Sequence, residues 1–210
     1  MADAPVNVNR QKWILFAIVA VLSLAADQAT KIWARSSLPV QNFHDPAKVC
    51  VVPDDIVSRH CNGVAVPVVD NYWDWRLSMN PGSAFGLFSS QGFARVMLSL
   101  VGIAAVVGML WMLRKSRRDQ KILHWALALV AGGAVGNLVD RIYYGVVTDF
   151  VLWHYKSKEW PVFNVADVVL VIGVGLMFID IQKEGRRDKA KKARRAEKAR
   201  QAGLVKKFGE

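Results

Sequence analysis

The chain has 210 residues, 53% of them hydrophobic and 21% charged, with 28 Lys and Arg against 17 Asp and Glu. From Lys183 onward there are 12 basic and 4 acidic residues, so +8 of the net +11 lies in this tail and the remainder is nearly neutral and very apolar. Four apolar stretches of about 20 residues are each long enough, at about 1.5 Å per residue, to cross a hydrocarbon core of roughly 30 Å, which excludes a soluble globular protein.

The first stretch, residues 14–34, follows a short basic leader with Arg10 and Lys12. WILFAIVAVLSLAA imitates a secretory signal, and Ser23-Leu24-Ala25 offers a cleavage pattern. The next residues, DQATKIWA, continue the helical period with polar groups, so the segment reads as a retained span carrying Asp27 and Lys31 at i,i+4. Residues 41–63 show no clear periodicity. They hold both cysteines, Cys50 and Cys61, which form neither a CxxC nor a metal set and are either one disulfide or two free thiols. In residues 66–80, Trp73, Trp75, Leu77 and Met79 alternate with Asp74, Arg76 and Ser78, predicting a strand of a small sheet on the membrane surface, where Trp is favoured. NPGSAFGLF follows, with a Pro-Gly turn and then a short apolar run expected to form a partial helix.

The second span is residues 93–113 and ends in the basic loop RKSRRDQK. The third, residues 122–140, contains Gly132 and Gly136 in a spacing that signals close helix packing, and ends at Asn137, Asp140 and Arg141. A loop with Asp149 in an apolar strand-like run leads to the fourth span, residues 162–181, which opens with FNVAD and so with Asn164 and Asp167. The expected organisation is a four-span membrane unit over residues 1–182, with an outer β-containing region at about 36–92, and a basic tail over residues 183–210.

The N-terminus, the loop and the tail hold 2, 5 and 12 basic residues, or 19 of 28. The positive-inside tendency puts all three, and both chain ends, in the cytoplasm. The costly polar groups of the spans are then expected to gather at one level, just beneath the outer face. Arg95 reads as a snorkelling residue and Asp180 as an interfacial one. Asp140, Asp149 and Asp167 are harder to place as structure, because three converging acids repel unless protonated or used, and only Arg141 is adjacent to any of them. HExxH and GxSxG are absent. Two carboxylates sharing a proton hydrolyse an amide without either: the ionised one activates water while the protonated one polarises the carbonyl and protonates the leaving nitrogen. A proton-coupled membrane transporter is the alternative, since buried acids also mark ion paths, and a scaffold acting through its tail is a third.

DQATK (27–31), NPGSAF (80–85), GGAVGNLVDR (132–141), VVTDF (146–150) and FNVAD (163–167) together resemble the bacterial lipoprotein signal peptidases, the signal peptidase II family. The resemblance implies a polytopic α-helical membrane protein of four transmembrane helices with a small extracytoplasmic β-cradle. It implies an aspartyl endopeptidase of the bacterial inner membrane, active near the periplasmic face, that cuts diacylglyceryl-modified prolipoproteins before the lipidated cysteine. Neither metal nor cofactor is expected. The partners expected are prolipoproteins and membrane lipids, with an anionic-lipid contact through the tail and no specific nucleic acid. Carried over by motif, the catalytic pair is Asp149 and Asp167. Asn80, Gly82, Asn137, Arg141 and Asn164 match positions that line the site or contact substrate, and Asp27, Lys31 and Asp140 match supporting positions. The segment between the first two blocks is longer than expected for the family, as is the tail.

Overall fold

The apolar stretches become helices in the computed structural model, which describes residues 6–58, 60–82 and 91–208. Ser83 to Phe85 of the second block, and the partial helix expected after it, lie outside the described residues. The long helices are α1 (Val6–Ser37), α3 (Gln91–Lys115), α4 (Lys121–Tyr143) and α5 (Val165–Phe208), with the single turn α2 (Asp54–Val57) between the first two. Four segments have the length and composition of membrane spans: Arg10–Ser37, Gly92–Lys115, Lys121–Tyr143 and Val165–Lys198.

The third span is the central one, with 67% of its most apolar window buried against 6% to 22% for the others. Small residues allow this. A Cβ on Gly132 would lie 2.8 Å from the Ala20 carbonyl of α1, and one on Gly133 would lie 2.6 Å from the Ala166 carbonyl of α5. At Gly136 it would strike the Asp27 carboxylate, so the glycine spacing both packs helices and makes room for a charge. The outer faces of the remaining spans keep residues such as Val21, Leu22, Leu100, Trp111 and Phe178 exposed, as a lipid-facing surface requires.

The alternating segment forms β3 (Val66–Val69) and β4 (Trp73–Asn80), joined by a turn in which Asn71 takes φ 67°. Asn tolerates this left-handed conformation better than most residues. With β5 (Val147–Tyr155) and β6 (Lys158–Glu159) they make an antiparallel sheet in the order β3-β4-β5-β6. Leu77 and Met79 point into a core with Ala34, Leu38, Val146 and Phe150, which fastens the sheet to the end of α1. Trp75 and Phe150 both meet the Trp33 ring edge-on.

The segment without periodicity folds as β1 (Val40–Asn42), α2 and β2 (Cys61–Gly63), with β1 and β2 paired. Cys50 and Cys61 are disulfide-bonded, which decides between the two thiol states left open by the sequence.

Buried polar groups are not confined to one level. At the end opposite the sheet, Lys12 is 6% exposed and donates to the carbonyls of Arg114 (3.3 Å) and Ser116 (3.0 Å), covering the C-terminus of α3. Asp180 is buried and accepts from Gln120 Nε2 at 3.1 Å, so it is more than an interfacial residue. These groups stand at span ends and read as loop residues, yet the turn between α3 and α4 folds over them. Arg95 likewise has a partner, donating at 2.9 Å to the Ile142 carbonyl near the end of α4.

Candidate active site

The residues before α5 explain where that helix begins. Asn164 Oδ1 accepts from the Asp167 backbone N–H (3.0 Å) and Asp167 Oδ2 accepts from the Asn164 backbone N–H (3.2 Å), a reciprocal capping box at the helix N-terminus. Asp27 supplies a second cap from α1, its Oδ1 accepting from the Ala166 N–H at 2.9 Å. One of the Asp167 oxygens is thus committed to backbone, and its Oδ1 accepts from Asn137 Nδ2 at 2.9 Å.

β5 brings up the second carboxylate. Its register pairs Asp149 with Ser78 and Val147 with Asn80 across β4. Asp149 Oδ1 accepts from Asn164 Nδ2 at 2.6 Å and its Oδ2 from Asn80 Nδ2 at 3.1 Å. Asn80 is fixed in turn by the Gly82 N–H, which donates to its Oδ1 at 2.8 Å, and Gly82 sits at φ 90°, a conformation glycine adopts without strain. Asp149 is 2% exposed, and burial, reinforced by the neighbouring charge of Asp167, pushes its carboxyl up to about 7.

Behind the two acids lies a fully buried ionic group. Lys31 Nζ is 2.9 Å from Asp27 Oδ2 and 3.7 Å from Asp140 Oδ2, all three side chains being inaccessible to solvent. Lys31 also donates to Asn137 Oδ1 at 2.8 Å, and the same oxygen accepts from Asn164 Nδ2 at 3.1 Å. Asn137 therefore connects the ammonium to the carboxylate of Asp167.

Asp140 does not face its neighbour in sequence. The sequence places Arg141 beside it, but neighbours on a helix point about 100° apart. Asp140 instead accepts from the Thr148 N–H at 2.8 Å and faces Lys31 and Arg35, the latter at 3.6 Å. Half-buried Arg141 donates to the Asn137 carbonyl at 3.4 Å.

All ten residues singled out by the sequence therefore converge, eight in one hydrogen-bonded group with Gly82 and Arg141 at its edge. Sequence reasoning missed Arg35, Gln28 and Thr148. Arg35 Nη1 donates to Thr148 Oγ1 at 2.7 Å, and its guanidinium lies 4.4 Å from the centre of the Tyr144 ring. Gln28 Nε2 donates to Asp27 Oδ2 and to the Gly136 carbonyl, each at 3.1 Å. Positions 27, 31 and 35 repeat at four, and that spacing was the available signal for Arg35. Among the described residues, no group of three or more His, Cys, Asp and Glu side chains is arranged to hold a metal ion.

A family model described as signal peptidase (SPase) II matches residues 19–183. The chain belongs to the signal peptidase II family. The match spans the whole polar group from Asp27 to Asp167. A relative named lipoprotein signal peptidase from Polynucleobacter necessarius subsp. necessarius is 36% identical over 160 residues, covering 76% of this chain and 83% of the relative. Another of the same name, from Xylella fastidiosa, is 33% identical over 178 residues, covering 82% and 91%. A bacterial membrane enzyme solved by the in meso method at 2.3 Å resolution has the same fold, with TM-score 0.60 and 24% identity over 81% of this chain and 88% of that one. Signal peptidase II is a protease family that removes signal peptides from prolipoproteins, and membership leaves the transporter alternative unsupported. With four span-length helices, the chain is a multi-pass protein of a bacterial membrane.

Proposed function

We propose that this signal peptidase II is an aspartyl endopeptidase using Asp149 and Asp167 to cut diacylglyceryl-modified prolipoproteins before the lipidated cysteine. The observation that carries the assignment is that both carboxylates are bound by one residue: Asn164 donates its side-chain amide to Asp149 and its backbone N–H to Asp167. Burial and the neighbouring charge of Asp167 oppose ionisation of Asp149, so this carboxyl keeps its proton up to about pH 7.

In the forward step Asp167 takes a proton from a water molecule as its oxygen attacks the scissile carbonyl, while protonated Asp149 donates a hydrogen bond to the carbonyl oxygen. Collapse of the tetrahedral intermediate breaks the C–N bond, and the proton gained by Asp167 passes to the leaving nitrogen. Asn137, tied to Lys31, and Asn80, tied to Gly82, hold the two carboxylates in place. Half-buried Arg141 at the edge contacts substrate, while Asp27, Lys31 and Asp140 fix the helix α5 and the strand β5 that carry the acids. No step calls for a metal or cofactor.

The orientation proposed puts both termini in the cytoplasm and the dyad near the periplasmic face, on the strength of the basic-residue distribution. Residues 1–182 form the membrane peptidase unit and residues 183–210 a cytoplasmic basic extension that meets anionic lipid.

The test is cleavage of a lipidated prolipoprotein by purified protein in detergent. Asp149→Asn and Asp167→Asn should each lower turnover by roughly 10³-fold or more while a lipopeptide still binds. Normal turnover by either folded variant would remove it from the dyad.

A further inference from the structure

At the end of the bundle away from the dyad, α1, the α3–α4 turn and the start of α4 enclose a cavity of about 340 Å³ lined by Gln11, Lys12, Leu15, Arg118, Lys121, His124 and Trp125. Three of these carry positive charge and none is acidic. The neighbouring acids are taken: Asp119 and Glu184 pair with Arg117 and Arg187, and Asp180 with Gln120. Arg118 and Lys121 have no carboxylate partner among the described residues. Lys12 gives two of its three N–H donors to carbonyls, leaving the third. The cavity also opens on the N-terminus of a 23-residue helix that has no side-chain cap and no acid in its first turn. Leu15 and the 47% exposed Trp125 continue the wall toward the lipid-facing surface.

We propose that this cavity binds the phosphate of an anionic phospholipid, with Lys12, Arg118 and Lys121 around the headgroup and Leu15 and Trp125 against the glycerol and first acyl carbons. Three cations that make no ion pair among the described residues match a headgroup that keeps its net negative charge, whereas a zwitterionic headgroup presents its own cation to them. The site's position at the end of the spans gives the headgroup its depth. The site depends on membrane insertion and not on the assignment of the catalytic pair, and it is separate from the tail.

Delipidated full-length protein in a non-ionic detergent should bind dioleoyl phosphatidylglycerol roughly tenfold more tightly than dioleoyl phosphatidylcholine, read by native mass spectrometry of the complexes. The double variant Arg118→Gln, Lys121→Gln should lose that preference. Arg114→Gln with Lys115→Gln, which removes two exposed charges from the same region outside the cavity, should keep it, as should truncation after Arg187. Prolipoprotein cleavage by the first double variant, equal to that of the parent protein in detergent, checks that it is folded. The proposal fails if phosphatidylglycerol shows no preference, if both double variants lose it equally, or if only the truncation abolishes it. It also fails if inorganic phosphate at the lipid's own concentration displaces the lipid, since the ligand is then a soluble anion.

Discussion

Asn164 meets both acids, and the protonation of Asp149 is the property of the site most open to measurement. Its carboxyl is raised from 3.8 to about 7, so between these values the folded protein retains a proton that the unfolded chain releases. Stability from this group is complete below pH 3.8 and is lost as pH rises toward 7. Thermal unfolding in detergent should therefore show a midpoint that falls from pH 5 to pH 8, with a shallower fall for Asp149→Asn. On the proposed assignment, the hydrogen bond that protonated Asp149 gives to the scissile carbonyl disappears over the same range, so kcat/KM should decline above pH 7. A flat profile from pH 6 to 9 would contradict the assignment. Asp140 gives a contrasting residue. Asp140→Asn can still accept from Thr148, but it withdraws the negative charge facing Lys31 and Arg35. Leaving buried cations short of an anion costs about 3 kcal/mol, so this variant should melt well below the parent while its folded fraction retains measurable cleavage.

At the scale of elements, α4 acts through its glycines. Gly136→Ala would drive a methyl into the Asp27 carboxylate, which itself caps α5 through Ala166. The expected loss is about 1–3 kcal/mol, with reduced activity because the cap and the Lys31 pairing shift together. Gly175→Ala on α5 meets open space and should leave the unfolding midpoint close to that of the parent, or slightly above it. Equal effects in the two variants would show that helix propensity, not the clash, governs the response. Spans and the tryptophan-rich strand were legible from the sequence because lipid burial and half-buried sheets impose strong periods. Residues 41–63 were not, since short paired strands and a disulfide hold them and neither leaves a repeating pattern. Asp149 and Asp167 stood out because an acid in an apolar run is costly, and their motifs resemble a known family. Arg35 was hidden by its place one residue past the apolar stretch, although its partner Thr148 belongs to the site. Asp180 was misread and the burial of Lys12 went unseen because a span end normally faces water, whereas here the α3–α4 turn covers both.

For the whole molecule, the basic residues predict a topology that reporter fusions can measure. Fusions at Ser116 and after Glu210 should report cytoplasm and one at Val64 the periplasm; a periplasmic signal at Ser116 would put the two acids on the wrong side. α5 runs without interruption from the Asn164 cap to Phe208, and it is tied at both ends of the membrane. Asp167 is bound to the site at one end, while Glu184 pairs with Arg117 at the other. Glu184 lies 17 positions beyond Asp167 on unbroken helix, on the order of 25 Å. On the proposed assignment this helix is a rigid gauge: with Asp149 and Asp167 as the catalytic pair, a thicker bilayer would bury them beneath the level that a lipid-anchored substrate reaches. Acyl-chain length should for this reason tune the rate of cleavage in reconstituted vesicles even though no lipid takes part in the chemistry.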